Sequence, residues 1–231
     1  QIIKNLFSYK HQIFYYGRNK SMIEKTLIKQ HNFGKRMDYS APVLYEELVS
    51  DGTLFFAPYD MVQTEILFQS RGDKFDVAKI PLARVFSEYF GGGLSSIVFQ
   101  EIRESKSLAY SAYAGYSVAT DKDKYDFVSS YIGTQANKLP QAVAAMNDLM
   151  NTMPEIDKQF ENAKHGVLKQ IASDRITKTS IFWSYLAAQK RGLDYDLRKE
   201  VYPKIEALQL SDLRNFFNKE IKGKRYNVSL I

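Results

Sequence analysis

Between residues 110 and 133 the chain carries two segments suited to little other than neighbouring strands. YSAYAGYSV (110–118) and YDFVSSYIG (125–133) are tyrosine-rich, and only the polar run ATDKDK separates them. A further strand is expected over 62–70, where Val62, Thr64, Ile66 and Phe68 share one face and Gln63, Glu65 and Gln69 the other, the alternation of a half-buried antiparallel strand. Short strands are expected at 11–17 (HQIFYYG) and 226–231 (YNVSLI).

The rest of the pattern is helical. Helix spacing places Met22, Ile23, Leu27 and Ile28 on one face over 21–33, with Ser21 as N-cap. A helix over 76–90 is stopped by Gly91, Gly92 and Gly93, and a second begins at Leu94 with Leu94, Ile97, Val98 and Ile102 as its apolar stripe. Helices follow over 137–151 (Leu139, Val143, Met146, Met150), 155–174 (Ile156, Phe160, Ala163, Val167, Ile171), 179–191 and 211–221. The expected fold is α+β, an antiparallel or mixed β-sheet with helices packed on one face.

At 231 residues the chain is long enough to bury a core without disulfides or a structural metal. Lys and Arg exceed Asp and Glu by 32 − 26 = 6, a mild basic excess that speaks to solubility and association. With no cysteine, thiol catalysis and thiolate metal sites are excluded. No apolar run approaches the roughly 18–20 residues of a membrane span. Nucleic-acid binding is disfavoured, because the basic residues are spread along the chain and form no block interleaved with aromatics. The first residue is Gln1, so a chain cut from something longer is expected. Residues 1–36 then read as the strand–helix tail of a preceding similar domain, 37–50 as a linker and 51–231 as the main domain.

Three histidines are present, and none has a second histidine or a carboxylate at the offset of HExxH or HxxEH. His11 is followed by QIFY, His31 by NFGK and His165 by GVLK, so no metal site is expected within this chain. Asp121, Asp123 and Asp126 fail the calcium-loop pattern, with no Gly at its sixth position and Ile132 where the bidentate Glu belongs. The glycine run lacks GxxxxGK[ST]. What remains is GGGLSSIVFQEIRESKSLAYSAYAGYSV (91–118), in which Arg103 projects opposite the apolar stripe and Tyr110 opens the next strand. From pattern alone, Arg103 reads as a solvated residue pairing with Glu101 or Glu104, and Tyr110 as a sheet tyrosine sharing a face with Ala112 and Tyr116.

This stretch resembles the C-terminal, non-zinc-binding domain of the pitrilysin and insulin-degrading-enzyme family, the inverted-zincin peptidases that include mitochondrial processing peptidase. The resemblance rests on the Arg103–Tyr110 spacing, the preceding FGGG, the core FQEIRESKSLAYSA and the segment YIGTQANK (131–138), and covers about residues 51–231. It implies the substrate-clamping domain of a zinc-dependent metalloendopeptidase. Zinc would be held by a homologous domain of the same chain or of a partner subunit, and this chain alone would be inactive. Arg103 and Tyr110 would serve catalysis and Gly91, Gly92 and Gly93 would contact the peptide substrate. The other reading within the superfamily is a catalytically inert peptide-binding or assembly module. Bacterial members of such families point to periplasm or cell envelope, with cytoplasm the other compartment left open.

Overall fold

The computed structural model describes residues 8–31, 36–39, 41, 43 and 49–231. Contacts divide the chain into two units, Gln1–Glu47 with Thr177–Phe182, and Leu48–Ile176 with Trp183–Ile231.

In the first unit, helix α1 spans Lys20–Gln30. Its N-cap is Asn19, without a side-chain bond, and Ser21 lies inside the first turn instead of at the cap. The strand expected over 11–17 does not form. The backbone there finds no partner edge among the described residues, and a single parallel bridge joins Tyr9 to Met37. The end of the expected helix at 32–33 and parts of the 1–36 and 37–50 segments lie outside the described residues.

The second unit is a five-stranded mixed sheet with helices. Its strands are β1 (Leu54–Phe56), β2 (Thr64–Lys74), β3 (Ser111–Ser117), β4 (Tyr125–Thr134) and β5 (Asn227–Leu230), in the order β1-β5-β2-β4-β3. All pairs are antiparallel except β1 with β5. The register sets Ile132 between Ile66 and Ala112, and Val128 between Ser70 and Tyr116, so one face of the sheet is buried along three strands. Two details depart from the sequence pattern. Val62 precedes the strand and is 96% exposed, and β2 runs on past Ser70 to Lys74.

Helices supply the other half of the core. They are α2 (Ile80–Ser87), α3 (Leu139–Asn151), α4 (Asp157–Ser173), α6 (Arg198–Ala207) and α7 (Leu210–Glu220), whereas α5 (Lys178–Lys190) buries no side chain. Phe86 stacks on Phe90 at 5.1 Å, and Phe216, Phe217 and Tyr116 close the aromatic cluster between helices and sheet. Each such pair adds about 0.5–1.5 kcal/mol beyond the area it buries.

The glycine run does not break the chain where expected. α2 continues as a π-helical turn, Glu88–Gly92, and only Gly93 is extended. A Cβ on Gly91 would stand 2.2 Å from the backbone nitrogen of Ala114, so glycine there lets the helix lie directly on β3. The helix expected from Leu94 is also altered. Leu94 is 74% exposed in a turn, while Ile97, Val98 and Ile102 are buried, and the backbone over Phe99–Ser105 is π-helical.

One buried polar cluster locks α7 to the sheet. Lys79 Nζ lies 3.0 Å from Glu220 and 3.0 Å from Asp73, while Tyr116 OH donates to Asp126 at 2.8 Å. Asp126 also accepts the Ala119 backbone N–H at 2.8 Å. Burial pulls the Lys79 ammonium down, but its bonds to Asp73 and Glu220 outweigh that and leave it raised. Burial pushes both Asp126 and Tyr116 up, and the Asp126 carboxylate adds to the rise of Tyr116.

Candidate functional site

The π-helical stretch Phe99–Ser105 bonds its backbone more widely than an α-helix, and such turns recur at functional sites. It ends abruptly. The Leu108 N–H reaches back to Ile102 O at 2.9 Å, and Ser107 takes a left-handed φ of 51°. Lys138 Nζ donates to the Ser107 carbonyl at 2.9 Å, which holds that conformation. The chain then turns into β3, with Tyr110 N–H bonded to Gly133 O at 2.9 Å.

This geometry brings Arg103 and Tyr110 to one open groove of about 300 Å³, floored by Leu108 and Ala109 and walled by Thr134, Gln135 and Lys138. The Arg103 guanidinium stacks 4.8 Å from the Phe99 ring, and its Nε stands 3.8 Å from Glu104, a loose contact for two half-exposed side chains. Glu101 pairs instead with Lys106 at 3.6 Å. No hydrogen bond engages the guanidinium among the described residues. Tyr110 is 53% exposed and so does not share the buried face of Ala112 and Tyr116. Gln135 Nε2 donates to its hydroxyl at 2.7 Å. Because the phenol oxygen accepts that bond, its own proton is free to point into the groove.

The groove therefore offers a phenol and a guanidinium, with the Lys138 ammonium at its edge. Gln135 and Lys138 were not singled out by sequence reasoning, although both fall in the YIGTQANK segment that carries the resemblance. Gly91 is buried against β3, while Gly92 is exposed and Gly93 half-buried.

The donor set does not fit zinc. Among the described residues no three histidine, cysteine or acidic side chains converge on one point. His165 is exposed on α4, and the His11 ring lies between the His31 ring, at 3.0 Å, and the Tyr9 carbonyl, at 2.8 Å. Among the described residues no helix is long and apolar enough to cross a membrane.

A family model described as the peptidase M16 inactive domain matches residues 52–167. A Bacillus subtilis (strain 168) protein described as the uncharacterized zinc protease YmxG is 35% identical over 83 residues, 35% of this chain and 20% of that protein. Among solved structures, a peptidase M16 inactive domain from Pseudomonas fluorescens superposes with a TM-score of 0.68 at 15% identity, over 92% of this chain and 50% of that one. A protease from Helicobacter pylori gives 0.70 at 16% identity, over 93% and 52%. The chain thus spans about half the length of these structures and a fifth of the Bacillus relative.

Proposed function

The chain belongs to the peptidase M16 inactive-domain family, and from that premise we propose that it is the substrate-clamping C-terminal domain of a zinc-dependent metalloendopeptidase. The zinc belongs to a homologous domain, in the same chain or a partner subunit, and this domain contributes Arg103 and Tyr110 to the peptide. The observation that carries the reading is their placement: both line one open groove with donors that the fold leaves unused.

Peptide hydrolysis develops a negative charge on the scissile carbonyl oxygen, and fixed donors stabilise it. One such donor is worth about 2.7–4 kcal/mol in the transition state. Tyr110 supplies a neutral O–H held in place by Gln135. Arg103 supplies a permanent cation whose planar fork suits a carbonyl or carboxylate. Gly92 and Gly93 are the part of the glycine run open to a passing peptide, whereas Gly91 already has its packing reason at Ala114.

The test uses the intact parent enzyme. Tyr110→Phe and Arg103→Ala should each lower turnover of a fluorogenic peptide while zinc content stays unchanged. Full activity in both variants would favour the inert-module reading, in which the domain only holds peptides or assembles with a partner.

A further inference from the structure

A second cavity, of about 530 Å³, shares no residue with the Arg103–Tyr110 groove. It lies among α2, α4 and the end of β3, and its apolar wall is Val118, Val167, Ile171 and Leu197. Four charged side chains line it as well: Arg84 from α2, Arg191 just beyond α5, Glu88 and Asp174. Among the described residues none of the four forms an ion pair, although two cations and two anions line the same cavity. The Arg191 Nε is buried without any hydrogen-bond partner. A buried guanidinium nitrogen left unsatisfied is costly, so Arg191 is held at this wall without the bonds that would offset its burial.

The arrangement is fixed in advance. Lys122 N–H bonds to Lys190 O at 2.9 Å, pinning the end of α5 to the β3–β4 turn, and the Arg191 N–H bonds to Ala188 O at 3.0 Å. Partial burial and the neighbouring Arg191 charge push Arg84 down, with Asp174 opposing. The Glu88 carboxylate lies close against Gly93, where a Cβ would stand 2.7 Å from its Oε1.

We propose that this cavity binds a small zwitterion with an apolar body, an apolar amino acid or a short peptide built of them. Arg84 and Arg191 take the carboxylate, Glu88 and Asp174 face the ammonium, and the aliphatic wall takes the side chain. The size falls within the usual range of small-molecule sites, about 300–1,000 Å³. Guanidinium pairs suit carboxylates because they offer parallel donors at fixed geometry. The site lies outside the chemistry proposed for Arg103 and Tyr110 and does not depend on it.

Calorimetric titration of the chain with four probes tests the assignment: L-leucine, N-acetyl-L-leucine, L-leucinamide and glycine. Leucine should bind best, N-acetyl-leucine more weakly, and leucinamide and glycine not at all. Arg191→Gln and Arg84→Gln should each weaken leucine binding about tenfold or more, with circular dichroism and Tm unchanged. Silence of leucine and N-acetyl-leucine up to about 10 mM overturns the proposal. So does leucinamide binding as tightly as leucine. The probe series runs on the unaltered chain, so the result stands even if an arginine variant fails to fold.

Discussion

Two clusters in this molecule combine a tyrosine, a cation and carboxylates, and they are put to opposite uses. Around Tyr116, Lys79 is held by Glu220 and Asp73 while Asp126 accepts the phenol's hydrogen bond, and all of it but the Asp73 carboxylate is dry. Around Tyr110, the phenol is half exposed, Arg103 touches Glu104 only loosely, and the hydroxyl proton has no acceptor among the described residues. The same chemical parts stabilise a fold when their bonds are closed internally and become available to a ligand when they are not. The difference is in the surroundings, because buried polar groups must be paired while exposed ones gain little from pairing.

The sharpest way to break the comparison is to open the closed cluster. Lys79→Ala leaves the buried Glu220 carboxylate with only the exposed Lys219 ammonium, 3.4 Å away, and should cost about 3–5 kcal/mol in chemical denaturation. The double variant Lys79→Met, Glu220→Gln should recover most of that loss. At the open cluster the outcome should be reversed. Tyr110→Phe and Arg103→Ala should each move stability by no more than about 0.5 kcal/mol, while turnover of the parent falls by about 10²–10³-fold. A Tyr110 variant that unfolds the chain would erase the distinction.

The glycines give a smaller contrast of the same kind. Gly91→Ala puts a methyl group into the β3 backbone and should lower stability by about 1–3 kcal/mol, with a matching fall in Tm. The least effect belongs to Asp73. Its bond from Lys79 holds its carboxyl below the ordinary 3.8, so its contribution is present above that pH and is lost as pH falls through the depressed value. Asp126, raised by burial, works in the opposite sense: its contribution is present below 3.8 and is lost as pH rises through its elevated value. Asp73→Asn should therefore lower stability slightly at neutral pH, flatten the acid limb of a stability–pH profile below 3.8 and meet the unaltered chain's profile at the lowest pH. An unchanged acid limb would mean that the Lys79–Asp73 bond carries no weight in solution.

How much of this was legible in the sequence depended on how far each feature reaches. The tyrosine-rich pair and the Thr64–Ser70 alternation declared themselves, because period-2 burial writes itself into neighbouring residues. β1 did not, since all three of its residues are exposed and an edge strand that short shows no alternation. α6 was missed because only Val201 and Ile205 are buried and Pro203 sits inside it, where a proline argues against a helix. Arg103 and Tyr110 were found through their spacing and the resemblance it carried. Their groove was not legible, because it depends on a π-helical backbone that a 3.6-residue period cannot reveal. The Lys79–Glu220 bond and the Arg84–Arg191 cavity join residues far apart in the chain, and no local pattern announces such pairs.

Asn227 marks the entry to the second unit. Its side-chain oxygen accepts the backbone N–H groups of Asp51, Gly52 and Thr53 at 3.1–3.2 Å, and its nitrogen donates to Val49 O at 2.8 Å. Mechanically this is a rivet. Tension applied upstream of residue 49 loads bonds that all converge on one amide in the last strand. They must fail together before β1 can begin to peel, so the chain's last strand bears the load applied where this unit begins.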